Sequence, residues 1–258
     1  MTLDLQGVSH EYAMLGYAPA IASVEKLSLT ASEGEITVLF GGSGCGKSTI
    51  LNLVAGLLTP SGGTIGLKLN GARAGVDSVG FVFQTPTLIP WLSVKENAVF
   101  SALVCGNSAA RISEDADRLL KQFGIAEMRD AYPRTLSGGM QQRVALIRAI
   151  LSDARVLLLD EPFSNSDLVM RRALHAELRQ GVEERGLIAM LVTHDVTDAA
   201  LLGDQIYVLT PRPASVAFAI RNPVPREQRH TENQDARVRL ADLQHLIAQE
   251  LMKAMKEK

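Results

Sequence analysis

Residues Ile36–Thr49 read ITVLFGGSGCGKST, an apolar run that breaks into glycines and closes on Lys-Ser-Thr. Gly41, Gly46, Lys47 and Ser48 stand at the fixed places of the phosphate-cradling pattern GxxxxGK[ST]. The flanks supply the expected context: a buried strand over 36–40, a tight glycine turn, then a helix over 48–56. Glycine lets the backbone approach a phosphate, because a Cβ would hold the N–H groups away from its oxygens. The helix start adds unpaired N–H groups and the positive end of its dipole. The loop Gly41, Gly42, Ser43, Gly44, Cys45, Gly46, Lys47, Ser48 and Thr49 is therefore expected to bind a nucleotide. Lys47 would reach the β- and γ-phosphates, and the Ser48 hydroxyl would join a Mg²⁺ shell.

The whole chain sets wider bounds. At 258 residues and 47% hydrophobic content it can bury one large core or two modest ones. A formal net charge of -2 argues against a general nucleic-acid binder, which usually carries a basic excess. No apolar stretch is long enough to cross a bilayer, and the opening MTLDLQGVSHEY has no basic region followed by an apolar one. A soluble, cytosolic protein is the expectation. Cys45 and Cys105 make neither a disulfide framework nor a metal site.

Upstream of the loop, residues 3–8 and 24–30 alternate apolar and polar side chains, which predicts an antiparallel layer. Tyr12 and Tyr17 lie in the connection, where an aromatic ring can stack on an adenine. Downstream, strands are predicted over 64–70 and 79–83, the second ending at Gln84. The following TPTLIPW (85–91) holds two prolines and cannot be regular. Helical patterns over 94–104 and 112–123 follow, with Ser93 and Glu96 placed for a capping box. They read as a helical insertion in an α/β domain. Val156–Leu159 then runs into Asp160-Glu161, and 187–193 into His194; both are strands that deliver polar groups at their C-terminal tips. A helix over about 167–185 separates them. Beyond Pro211 come a last strand near 215–221, a proline-bearing linker, and a helix over 236–255 with Val238, Leu243, Leu246, Ile247, Leu251 and Met255 at helical spacing.

The strand tips assemble a chemistry. Phosphoryl transfer needs positioning and charge neutralisation more than covalent help. Asp160 is placed to hold Mg²⁺ opposite Ser48, and Glu161 is the candidate general base for an attacking water. Gln84 offers an amide oxygen to the metal or to that water, and His194 a ring nitrogen to the γ-phosphate.

Five segments, GGSGCGKST, the Gln84 that ends FVFQ, LSGGMQQR (136–143), VLLLDEPF (156–163) and VTHD (192–195), together resemble the ABC ATPase family in order and spacing. The resemblance covers about residues 1–220. It implies an α/β fold: a P-loop NTPase core sheet of the RecA-like type, an N-terminal antiparallel β layer, and an α-helical subdomain inserted over about 85–150. A linker and helical tail over 221–258 would follow. It implies ATP and Mg²⁺ as cofactors and a second cassette, in the simplest case a second copy, whose Ser137, Gly138 and Gly139 cap the nucleotide held on Lys47. It favours Tyr12 over Tyr17 as the adenine-stacking residue. It further implies contact with transmembrane permease subunits through the Gln84 loop and following helices, indirect work with a solute-binding protein, and a place at the cytoplasmic face of the membrane.

Pro90-Trp91-Leu92 and TLSGGMQQRVALIRAI look like importer cassettes for nitrate, sulfonates, taurine and related solutes, including thiamine precursors. An exporter cassette, or a soluble ABC ATPase acting on DNA or ribosomes, stays open as the alternative. Soluble members of that kind usually carry a long coiled coil or two cassettes in one chain, and neither is present. One departure stands out: where the family usually shows SALD, this chain has Ser164, Asn165, Ser166 and Asp167, which puts communication between paired sites in doubt.

Overall fold

The computed structural model describes residues 1–13, 20–69, 72–74, 79–106, 108–164, 168–230 and 233–256. Tyr17 and the departure at Asn165, Ser166 and Asp167 lie outside the described residues. The chain divides into two compact units, Met1–Asp77 with Ile188–Lys258, and Ser78–Leu187.

The first unit carries two sheets. Strands β1 (Thr2–Tyr12), β2 (Ile21–Ser32), β4 (Gly62–Leu69) and β5 (Ala72–Ala74) form an antiparallel sheet in the order β2-β1-β4-β5. Leu3, Leu5 and Val8 of β1 are fully buried while their neighbours are not, the alternation of a one-faced sheet. The second sheet runs β10-β9-β3-β8, with β3 (Ile36–Phe40) parallel to both β8 (Ile188–Thr193) and β9 (Gln205–Leu209), and β10 (Val216–Arg221) antiparallel to β9. Every residue of β3 and β8 is buried. Such strands, covered on both faces, need unbroken apolar runs, and ITVLF and IAMLVT supply them. Helix α1 (Lys47–Val54) follows β3 through the glycine loop, and α6 (Val196–Leu202) follows β8.

In the second unit β6 (Val79–Val82) pairs in parallel with β7 (Val156–Asp160). Helices α2 (Val94–Val104), α3 (Ala109–Gln122) and α4 (Gly138–Leu151) pack on one another, and α5 (Leu168–Arg185) leads out of the unit. Ser93 and Glu96 do form the capping box, each side chain bonded to the other's backbone N–H. The bond from the Ser93 N–H holds the Glu96 carboxyl below its ordinary pKa. The proline-rich segment after β6 is irregular, as its composition requires.

The tail helix α7 (Gln234–Lys256) packs on α6, β9 and β10. Its buried face is Ala236, Leu240, Leu243, Ile247 and Ala254. Val238 and Met255, which the apolar periodicity assigns to the packed stripe, are instead 55% and 60% exposed. Ala236 and Ala254 take inward positions, where small side chains let the two ends of the helix lie close to its neighbours.

The linker before α7 is tied down by one carboxylate. Asp204, 3% exposed, accepts from the Ile36 backbone N–H at 2.9 Å and pairs with Arg226 at 2.9 Å and buried Arg229 at 3.0 Å. Glu35 extends the network to Arg221. The start of β3 and the root of the tail thus share a buried anion. Replacing Asp204 with Ala strands the Arg229 guanidinium in the interior, and we expect a loss of about 3–5 kcal/mol in unfolding free energy, read from urea denaturation.

Candidate functional site

In the first unit, β3 carries the chain to Gly41 and stops, because the glycines that follow cannot continue an apolar strand. Gly44 and Gly46 have φ of +74° and +119°, the region that favours glycine. A Cβ on Gly46 would lie 2.6 Å from the Ser23 carbonyl oxygen, whereas one on Gly44 would meet nothing within 4 Å. Gly46 also caps α1 without any side-chain hydrogen bond, so the first N–H groups of that helix face outward bare. The Lys47 ammonium folds back on the loop and donates to the Gly41 and Gly42 carbonyls at 2.9 and 2.7 Å. Burial pushes the Cys45 thiol pKa up, with neighbouring Lys47 working against that. Ser43, Gly44 and Ser48 are exposed at the mouth of the loop.

Tyr12 ends β1 beside this loop. Its hydroxyl shares a 3.1 Å hydrogen bond with Thr49 Oγ1, which also meets Ser23 Oγ at 3.1 Å. The ring is 36% exposed and stands edge-on to buried His10, centroids 4.8 Å apart. An aromatic face is thereby held next to the start of α1. His194 follows from strand register: Phe40 lies opposite Thr193 in the parallel β3–β8 pair, so Gly41 and His194 leave the sheet at the same level. Asp195 then caps α6, accepting from Thr197 and Asp198 N–H groups at 2.7 and 3.4 Å, which stiffens the turn that carries exposed His194.

The second unit repeats the logic. Val82 of β6 lies opposite Leu159 of β7, so Gln84 and Glu161 emerge together, and the Gln84 amide donates to Glu161 Oε2 at 3.4 Å. Asp160, the last residue of β7, is buried. Glu161 has φ of +48°, one of two non-glycine residues in the left-handed region among the described residues. That conformation costs a side-chain-bearing residue roughly 1–2 kcal/mol, and such strain gathers where a side chain must be aimed. Ser137 caps α4, its hydroxyl accepting from the Met140 N–H at 3.3 Å, and Ser137 and Gly138 are exposed at that helix start.

Three residues to which the sequence motifs assign no role shape this unit. Asn97, fully buried on α2, accepts from the Ile89 N–H at 2.7 Å and donates to the Ile89, Leu92 and Ser93 carbonyls at 3.0 Å. Gln142 and Arg148 on α4 reach the segment around Gln84. A polar Asn at a helix position otherwise suited to burial is the one sequence signal that marks such a clamp.

Comparison with known proteins follows the same lines. The family described as ABC transporter matches residues 24–164. An aliphatic sulfonates import ATP-binding protein, SsuB 1 of Xanthomonas axonopodis pv. citri (strain 306), is 43% identical over 203 residues, covering 78% of this chain and 80% of the relative. A taurine import ATP-binding protein, TauB of Jannaschia sp. (strain CCS1), is 37% identical over 208 residues, 81% of this chain and 78% of the relative. Among solved structures, the dimeric ATP-binding cassette MJ0796 in a post-hydrolysis state with ADP and phosphate superposes with a TM-score of 0.74 at 28% identity, covering 85% of this chain and 98% of that one. The α/β fold with its antiparallel layer agrees with that likeness.

The two positive-φ glycines separate backbone strain from steric contact. Gly44→Ala is expected to lower unfolding free energy by about 1 kcal/mol, from backbone strain alone. Gly46→Ala, which adds a clash with the Ser23 backbone, should cost at least about 3 kcal/mol and abolish binding of a fluorescent ATP analogue.

Proposed function

This chain belongs to the ABC transporter family and is an ATP-binding, ATP-hydrolysing cassette of it; from that premise we propose that it energises an importer for sulfonate-bearing solutes. The observation that carries the solute class is the pair of relatives above, named for import of aliphatic sulfonates and of taurine, which is itself a sulfonate. Both are matched over about four-fifths of this chain. These two relatives favour sulfonates over the nitrate and thiamine precursors that the sequence pattern also accommodates. The cassette does not touch the solute, so its chemistry is read only through these relatives.

The roles of the site residues form part of the proposal. The loop 41–49 holds the phosphates with its amides and Lys47, and Tyr12 stacks on the adenine. Glu161 takes the proton of the attacking water, a task suited to a carboxylate held at a strand tip by a strained backbone. Gln84 orients that water and His194 bonds to the γ-phosphate. Ser48, Asp160 and Gln84 offer a hydroxyl, a carboxylate and an amide oxygen, a hard-oxygen set that suits Mg²⁺ better than a softer metal. The Ser48 hydroxyl is exposed at the loop mouth and free to serve. Bound there, Mg²⁺ would neutralise charge on the β- and γ-oxygens.

A second copy of the chain supplies Ser137, Gly138 and Gly139 to close over the nucleotide, since a serine-capped helix start presents amides and a dipole to an anion. Dimeric structures of the similar cassette support this arrangement. The membrane permease binds the second unit, where Trp91, Phe100, Leu103 and Val104 expose apolar side chains. A solute-binding protein delivers cargo on the far side, which places this chain peripherally at the cytoplasmic face. No described helix is long and apolar enough to cross a membrane.

Two measurements test the proposal. Glu161→Gln should keep ATP affinity within about twofold while turnover falls by 10²–10⁴-fold, roughly the general-base contribution; full turnover would remove Glu161 from that role. In proteoliposomes containing the chain, its permease and the solute-binding protein, taurine or a short alkanesulfonate should raise ATP turnover severalfold. Equal stimulation by nitrate and none by sulfonates would overturn the solute class.

A further inference from the structure

The segment from Phe83 to Ser93 cannot hold its own shape. Pro86 and Pro90 lack N–H groups, and the backbone hydrogen bond described within it is Leu92 N–H to the Ile89 carbonyl at 3.2 Å. Its conformation is instead set by side chains from two helices. Asn97 of α2 clamps the far half at Ile89, Leu92 and Ser93. The near half, which contains Gln84, is held at its Phe83 and Thr87 carbonyls from α4, while the Gln84 side chain itself donates to Glu161. Gln142, buried, donates from Nε2 to the Phe83 carbonyl at 3.4 Å. Arg148 donates from Nη1 to the Thr87 carbonyl at 2.8 Å and from Nη2 to Thr87 Oγ1 at 3.3 Å.

Arg148 is an odd residue to find there. It is half-buried, burial lowers its pKa, and no carboxylate pairs with it among the described residues. Desolvating a guanidinium without a counter-charge costs stability, and a leucine would fill the same space at less cost. What the arginine supplies, and leucine cannot, is a planar fork that makes two hydrogen bonds to one residue of the loop.

We propose that Arg148, assisted by Gln142, is a positioning residue that fastens the Gln84 loop to the helix beginning at Ser137. The inference rests on the role proposed above for Gln84. Gln84 sits between two points, Phe83 and Thr87, that are both attached to α4. A displacement at the Ser137 end of that helix therefore carries the Gln84 amide with it. In the dimer, Ser137 senses the nucleotide of the other copy while Gln84 serves the nucleotide of its own, so Arg148 ties the readings of the two nucleotides to each other within one chain.

The test combines exchange and kinetics on the full-length protein. In Arg148→Leu, hydrogen–deuterium exchange of the amides at 85, 87 and 88 should rise by about tenfold or more, the factor expected for losing a hydrogen bond from a charged donor, while 89 and 92, in the half clamped by Asn97, change less. Exchange over 144–150 should stay as in the parent. The ATP kcat should fall about tenfold with KM within about twofold, and in a Gln84→Ala background the Arg148→Leu change should reduce turnover no further. Arg148→Lys, which keeps one donor for the Thr87 carbonyl, should recover part of the loss. Thr87→Val, which removes only Oγ1, should produce a smaller rise confined to the same amides. Unchanged exchange over 85–88, or losses that add in the Gln84→Ala background, would overturn the proposal. Should Gln84→Ala alone leave turnover intact, the role of Gln84 fails, and the exchange data still decide whether Arg148 holds the loop.

Discussion

Parallel strand pairing is the constraint on which the candidate site depends. In a parallel pair the C-terminal ends emerge at one edge, and the strands themselves are buried on both faces. The interior of β3, β7 and β8 can therefore carry no exposed chemistry, since every position is occupied by a buried side chain. Polar function is forced to the last residue of a strand, as at Asp160, and to the first residues past its tip. Gly41 and His194 share an edge because Phe40 is in register with Thr193, and Gln84 meets Glu161 because Val82 is in register with Leu159. A one-residue slip in either pair would separate these groups by a strand rise of roughly 3.3 Å, more than a hydrogen bond tolerates.

The two helix starts proposed to meet an anion are built differently. Helix α1 begins at a left-handed glycine with no side-chain cap, which leaves its leading N–H groups bare where a phosphate chain must nestle closely. Helix α4 begins at Ser137, whose hydroxyl already satisfies one N–H. The first geometry suits close envelopment of the proposed phosphate chain, the second the proposed presentation to a second copy's nucleotide. The difference comes down to one residue at each cap: a glycine that permits φ of +119°, and a serine in extended conformation.

What could be read in advance was what short stretches encode by themselves. Continuous apolar runs marked β3, β7 and β8, the glycine pattern marked the loop, and Ser93 with Glu96 marked the start of α2. The grips that join distant segments left no comparable trace. Arg148 to Thr87 spans 61 residues, and Asp204 to the Ile36 N–H spans 168. Neither arginine nor aspartate announces its partner in the sequence, because a buried polar group is satisfied by whatever acceptor the fold brings near. The tail illustrates a subtler limit. Apolar periodicity weights Val238 and Met255 above Ala236 and Ala254, yet close packing on β9 and β10 favours the small residues, and the larger ones are left in solvent.

Trp91 is the only tryptophan of the chain, and it stands 75% exposed two residues before the capping serine of α2. Its indole has no part in either sheet or in the packed helical faces. The tryptophan fluorescence of this protein is therefore deaf to the packing of its core and reports on one surface loop, the loop in which Gln84 resides. With red-shifted emission in water, and a blue shift when an apolar surface covers it, the molecule carries its own optical label at the place where ATP chemistry and a membrane partner are proposed to meet.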